Sequence, residues 1–383
     1  RSVSAFLLNR SSDLRFFRNC WVEISANGIK THRYNEPADH YVWEENIIQH
    51  DYYVVPDMFT VTTDEDGRYI VEIPEGAEKC NLLRFLVNTC RLYWRKVDEG
   101  GLELTPEEQA EEHLSLASRL ANMGYLLTSN KSESEAWATI CQDSTMAENV
   151  DECNGRSGKS FYYHTVAKMV NTFIIDAATT SFKDPRFIFD GVTPDTDLVL
   201  IDECSRKFNY NFIYGMVTGD FRVEEKNRHA YVIPFSQSPK FGLGTNFTLS
   251  RHDPSTEGRI WPQPFSDFYH VQTPLNDYRE TRSIRDDFGQ NLMGTEYSEQ
   301  DWQLDLALMT QCVRFYLSLE PGSSRIMPPL SRIERREQLA AVGKDFKQWA
   351  DEFFAEDSGH LDCELKAESV LSYFNQETKF GWA

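Results

Sequence analysis

The stretch Asn154-Gly155-Arg156-Ser157-Gly158-Lys159-Ser160, running straight into Phe161-Tyr162-Tyr163-His164-Thr165-Val166, constrains this chain more than any other. Glycines let successive backbone amides converge on one point, and a helix opening behind them adds its partial positive charge. A lysine and a hydroxyl then follow in order. This reads as a phosphate cradle in which residues 154–160 surround the phosphates, Lys159 reaches the β and γ groups, and Ser160 takes a coordination place on a magnesium ion between them. The spacing is GxxGKS, with Cys153 where the longer GxxxxGKS pattern has its first glycine. On spacing alone, a solvated Gly-Lys-Ser loop is the plain competitor.

Two downstream features weigh against that competitor. Asp197-Leu198-Val199-Leu200-Ile201-Asp202-Glu203 is a short apolar run closed by two acids, the pattern of a buried parallel strand with carboxylates at its C-terminal end, where ligands of open α/β sheets gather. Asp202 would support the metal and Glu203 would polarise the attacking water. Gly242-Leu243-Gly244-Thr245-Asn246 is a glycine-rich strand ending in an amide placed to sense a γ phosphate. Three phosphate-directed elements in this order point to ATP hydrolysis with Mg2+.

The same order, with Thr218-Gly219-Asp220 and Lys226 between the second and third elements and Arg259 before Pro264-Phe265-Ser266, resembles the superfamily 3 helicases. These are AAA+ ATPase modules of viral, phage and plasmid replication proteins, often fused behind a primase. The resemblance spans roughly residues 138–270. It implies a homo-oligomeric, hexameric ring with ATP bound between subunits, travelling 3′ to 5′ on single-stranded or forked DNA. It further implies Arg259 as the finger that reaches a neighbour's ATP, with Arg251 as runner-up, and a hairpin whose tip grips the DNA backbone through Lys226, Arg228 and His229. Such a finger is worth on the order of 10³ in rate in other NTPases.

Charge sets a limit on that picture. The formal net charge is −21, so any DNA contact must be local. Residues 205–259 carry eight Lys or Arg against five acids, a local basic excess in an acidic chain. The eight cysteines show no CxxC pair, which argues against a zinc site or a disulfide framework and fits reduced thiols in a bacterial or phage-infected host cytosol. No run approaches the ~18 apolar residues of a membrane span. With Arg1 first and Ala383 last, the chain reads as a piece of something longer.

The expected fold is α/β: an AAA+ P-loop parallel sheet with flanking helices, preceded by a mixed and helical N-terminal region and followed by a mainly helical C-terminal region. Residues 1–128 would hold a hairpin around Asp64-Glu65-Asp66-Gly67 and a helical collar whose second helix opens on the capping box Thr105-Pro106-Glu107-Glu108. Gly124 is expected to weaken that helix's end. Residues 129–285 would form the ATPase domain, with its first strand at 136–141, β-rich segments at 171–178 and 186–189, and a hairpin at 220–235. Residues 286–383 would be a helical, winged-helix-like cap. Two other readings stay open: an AAA+ remodeller or loader of proteins, and a nucleotide-binding scaffold without turnover.

Overall fold

The computed structural model describes residues 12–35, 42–144, 155–180, 182, 187–205, 208–247, 254–274, 276–334, 344–355, 358–361 and 363–378. Asn154, Cys153 and Arg251, all singled out above, lie outside the described residues, as do Arg206 and Lys207. At its centre is a five-stranded sheet in the order Ile260–Phe265, Ala138–Asp143, Lys240–Thr245, Leu198–Cys204, Thr172–Asp176, with every neighbouring pair parallel. We call the second, third and fourth of these the cradle strand, the glycine strand and the acid strand.

Both faces of the sheet are covered, as a parallel sheet with crossover connections requires. Leu198 and Leu200 of the acid strand point into one core, and Val199 and Ile201 point into another. That alternation is the two-residue period of a strand. The first core includes the cradle helix Lys159–Val166 and the long helices Pro106–Leu127 and Glu299–Ser318. The second core takes in the short helix Asn211–Val217 and the hairpin of Phe221–Val223 with Tyr231–Ile233. The expected strand at 136–141 thus begins and ends two residues later. Phe187 to Phe189 form a turn rather than a strand.

The capping box is present in full: the Thr105 hydroxyl accepts from the Glu108 amide, and the Glu108 carboxylate accepts from the Thr105 amide. This helix does not weaken at Gly124 but runs on to Leu127. Gly124 is instead a contact point with Glu299–Ser318, since a Cβ there would lie 2.1 Å from the Cys312 carbonyl oxygen. Arg119, in the middle of the same helix, is fully buried and donates to Gln263 Oε1, Thr89 Oγ1 and the Pro264 carbonyl, with its guanidinium 3.7 Å from the Phe265 ring centre. Three donated bonds and an aromatic face compensate the burial of that charge.

Two features at the N-terminus went unanticipated or were anticipated only in part. Ser12–Phe16, Trp21–Ser25 and Gly28–His32 make a three-stranded antiparallel sheet. The hairpin around Asp64 and Gly67 pairs Thr60–Thr63 with Tyr69–Glu72. At the other end, helices Lys344–Phe353 and Ala367–Thr378 share a small cluster of Trp349, Phe353 and Phe374. Among the described residues no helix is long and apolar enough to cross a membrane.

Helix Asn81–Cys90 has no side-chain cap of its own. Asp305, from Glu299–Ser318, supplies one: its carboxylate accepts from the Leu82 amide at 3.0 Å, the Tyr297 hydroxyl at 2.5 Å and the Cys80 thiol at 3.3 Å. Burial nevertheless outweighs those bonds and pushes the carboxyl up to about 6. The native state therefore holds more protons than the unfolded chain between about pH 4 and pH 6, and stability falls as pH rises through that window. Urea midpoints of the wild type should decline from pH 4 to pH 6 relative to those of Asp305→Asn, and a difference flat with pH would refute the assignment.

Candidate nucleotide site

Because the strands are parallel, the cradle, glycine and acid strands all end on the same edge of the sheet. At that edge lies a cavity of about 350 Å³. Its walls include Gly155 to Phe161 on one side, Asp202 and Glu203 on a second, and Gly244, Thr245 and Asn246 on a third. The three elements singled out in sequence are thus brought together on one hollow. Asn246 Nδ2 donates to Glu203 Oε2 at 3.4 Å. Glu203 itself has a positive φ of 55°, which turns the chain sharply after Asp202.

The glycine strand makes this convergence possible. A Cβ on Gly242 would lie 2.6 Å from the Tyr163 ring, and one on Gly244 would lie 2.2 Å from Asp202 Oδ1. Tyr163 exploits the first gap to lay its hydroxyl between strands, donating to the Thr139 carbonyl at 2.9 Å and accepting from the Leu243 amide at 3.1 Å. The cradle helix is thereby tied to two strands of the sheet at once. Burial pushes the Tyr163 hydroxyl far above its usual range, so it stays protonated and keeps donating.

The helix starts on Gly158, whose φ of +99° is a conformation that side-chain-bearing residues rarely adopt. Gly158 is also crowded, with the Phe85 ring 2.8 Å from where a Cβ would stand. Lys159 is buried, its Nζ donating to Asp143 Oδ1 at 2.5 Å and to Ser157 Oγ at 3.0 Å. Asp143 was not singled out in sequence. It ends the cradle strand after an apolar stretch much as Asp202 follows Leu198 to Ile201 in the acid strand, and that shared pattern was the signal available.

Oxygen donors suit a small hard cation. Ser160 and Asp202 line the same cavity, and among the described residues no group of three or more His, Cys, Asp or Glu could hold a metal by itself. A site of this kind suits Mg2+, which is commonly bound through one or two carboxylates and the substrate's phosphates.

The fourth wall came from outside the expected motifs. His270 and Arg282 exchange backbone hydrogen bonds at 3.0 Å in each direction, and this bridge sets His270 and Val271 beside the segment Arg282 to Arg285 along the cavity. Arg282 is held away from free use by Asp98 and Glu280 and lies over the Trp94 and Phe268 rings.

Arg259 stands apart. It is the last residue of helix Pro254–Arg259 and immediately precedes Ile260, which pairs with Ala138 at the opposite edge of the sheet. A six-residue strand at ~3.3 Å per residue separates that edge from the cavity. Arg259 therefore does not line the cavity of its own chain. Lys226, Arg228 and His229 are exposed in the hairpin connection, also away from the cavity. Arg228 pairs with Glu225 at 3.3 Å and Arg222 with Glu224 at 3.0 Å, while the Lys226 ammonium makes no ion pair among the described residues. Of the basic residues counted in this segment, Lys240 is removed from any nucleic-acid face. It is buried, donates to the carbonyls of Tyr125 and Thr128, and is pulled down to about 7 by desolvation.

No family model matches the sequence, and no curated protein matches it. Among solved structures, the chain is similar to the C-terminal region of NrS-1 in its A-form apo structure, with a TM-score of 0.37 at 11% identity over 97% of this chain and 85% of that one. An apo structure of residues 305–718 of that protein gives 0.34 at 10% identity, over 97% and 85% of the two chains. JCV helicase with a bound phenoxyphenyl acetamide gives 0.31 at 11% identity, over 77% and 65%. Likenesses this loose bear on neither the cavity's residues nor its chemistry.

The glycine strand supplies a direct check on the geometry. Gly242→Ala must displace a rigid ring that bridges two strands, so it should cost about 1–3 kcal/mol in urea unfolding, the range of an overpacked core. Gly215→Ala, where a new methyl meets nothing within 4 Å, should be neutral or slightly stabilising in the same measurement.

Proposed function

We propose that this chain is an ATP-dependent DNA helicase module of the superfamily 3 type, working as a ring of identical subunits. The observation that carries the reading is the meeting of Gly155 to Ser160, Asp202, Glu203 and Asn246 around one cavity at the C-terminal edge of a parallel sheet. Lys159 binds the β and γ phosphates, and the amides of Gly155 to Gly158 close around them. Ser160 and Asp202 hold Mg2+, which neutralises charge on the phosphates. Glu203 orients and polarises the attacking water, and its bond with Asn246 couples that carboxylate to the group sensing the γ phosphate. Arg259, at the far edge of the sheet, serves the nucleotide of an adjoining subunit.

The hairpin then contacts DNA through Lys226, Arg228 and His229. Exposure of all three, and the absence of an ion pair on Lys226 among the described residues, support this. Each lysine or arginine seated on a phosphate releases counterions, so binding through the tips of a ring should weaken steeply with salt. A ring, a 3′ to 5′ direction and an attached primase belong to the same proposal.

Phosphate release measured on wild type, Lys159→Ala and Glu203→Gln tests the chemistry. Both variants should lose at least about a hundredfold in turnover, the scale of a general acid-base contribution; equal rates in all three would leave a scaffold without turnover. Addition of single-stranded DNA should stimulate the wild type. Lys226→Ala with Arg228→Ala should abolish the stimulation while basal hydrolysis persists, whereas a protein remodeller would be indifferent to the change.

A further inference from the structure

The cradle lysine is one corner of a closed triangle. Lys159 Nζ donates to Asp143 Oδ1 and to Ser157 Oγ, and Ser157 Oγ donates to the same Asp143 oxygen at 2.5 Å. The Lys159 and Asp143 side chains are only 7% and 4% exposed, so water and salt do little to screen their attraction. Asp143 is the last residue of the cradle strand, paired in register with Phe265, and the next amide, Ser144, donates to the Phe265 carbonyl. Its carboxylate is therefore anchored by the sheet, while Lys159 belongs to the loop-to-helix junction.

A fixed anion beside the lysine has two consequences for any phosphate entering the cavity. It occupies the ammonium in the direction of the strand, and it adds a negative charge close to where a polyphosphate must lie. We propose that Asp143 is a positioning residue that holds Lys159 and competes with the nucleotide for it, so that engagement of the β and γ phosphates is coupled to release of the Asp143 contact. The inference rests on the phosphate-binding reading of the cavity. It assigns to Asp143 a lowering of nucleotide affinity, the opposite sign from that of a residue whose part is merely to build the loop. Ser157, bonded to both charges, keeps a hydrogen bond available to Asp143 when the lysine turns away.

Equilibrium binding of a fluorescent ATP analogue with Mg2+ tests this on four proteins: wild type, Asp143→Asn, Lys159→Ala and the double variant. Asp143→Asn keeps the shape and an acceptor oxygen but removes the charge, and it should tighten binding about tenfold or more, the scale of one charge-assisted bond. KM for ATP should fall with the dissociation constant, and kcat should not rise. In the Lys159→Ala background the tightening should shrink, leaving only the part due to direct repulsion between Asp143 and the phosphates. Equal or weaker binding by a folded Asp143→Asn protein overturns the proposal, as does a tightening that survives intact without Lys159. A crystal structure of the wild type with a non-hydrolysable analogue supplies a variant-free arm: Lys159 Nζ should sit more than 4 Å from Asp143, and retention of the present contact overturns the proposal. Failure of the wild type to bind the analogue would remove the nucleotide reading itself, whereas binding without tightening removes only the role of Asp143.

Discussion

Everything at the candidate site depends on the empty space left by two missing side chains. Gly242 and Gly244 lie in the strand between the cradle strand and the acid strand. Over the first glycine lies the Tyr163 ring, and against the second lies the Asp202 carboxylate. Any larger residue at either place would push the cradle helix off the sheet or turn Asp202 away from the cavity. A close-packed interior has little room to absorb such a shift. The sheet is therefore the frame that sets the distance between the groups around the cavity, and this strand is its narrowest member.

The parts outside the sheet brace that frame. Phe85, from helix Asn81–Cys90, is packed against Gly158 at the start of the cradle helix, and Asp305 caps that same bracing helix from across the core. Arg119 reaches from Pro106–Leu127 to the end of strand Ile260–Phe265, next to the strand that carries Asp143. Residues before and after the sheet thus contribute to one continuous core with it. The bridge between His270 and Arg282 adds a wall that approaches the cavity from beyond the last strand.

Much of this was legible because the relevant signals are local. Four aliphatics before Asp202 and Glu203 announce a buried strand, Thr105 and Glu108 announce a helix start, and glycines around a lysine announce an amide-lined turn. Asp143 escapes the rule applied to Asp202 because the sequence pattern ends the first strand at residue 141, two residues short of it. Gly124 misled for a different reason: glycine lowers helix propensity, but here the gain from bringing two helices into contact exceeds that cost. The antiparallel sheet of residues 12–32 lacked a strong period, and its pairing is a matter of long-range packing.

By itself the sequence determined the kind of elements present and the order in which the cavity-lining motifs occur, since turn chemistry, capping and hydrophobic period act over a few neighbours. Tertiary structure alone decided which of these residues share a cavity. Strand order put the glycine strand between Asp143 and Asp202, parallel alignment put Arg259 at the far edge, and packing across more than a hundred residues delivered Arg282 to Arg285 to the rim. Those outcomes arise from burying both faces of one sheet at once, a requirement that involves residues far apart in the chain and leaves no local pattern by which to read it.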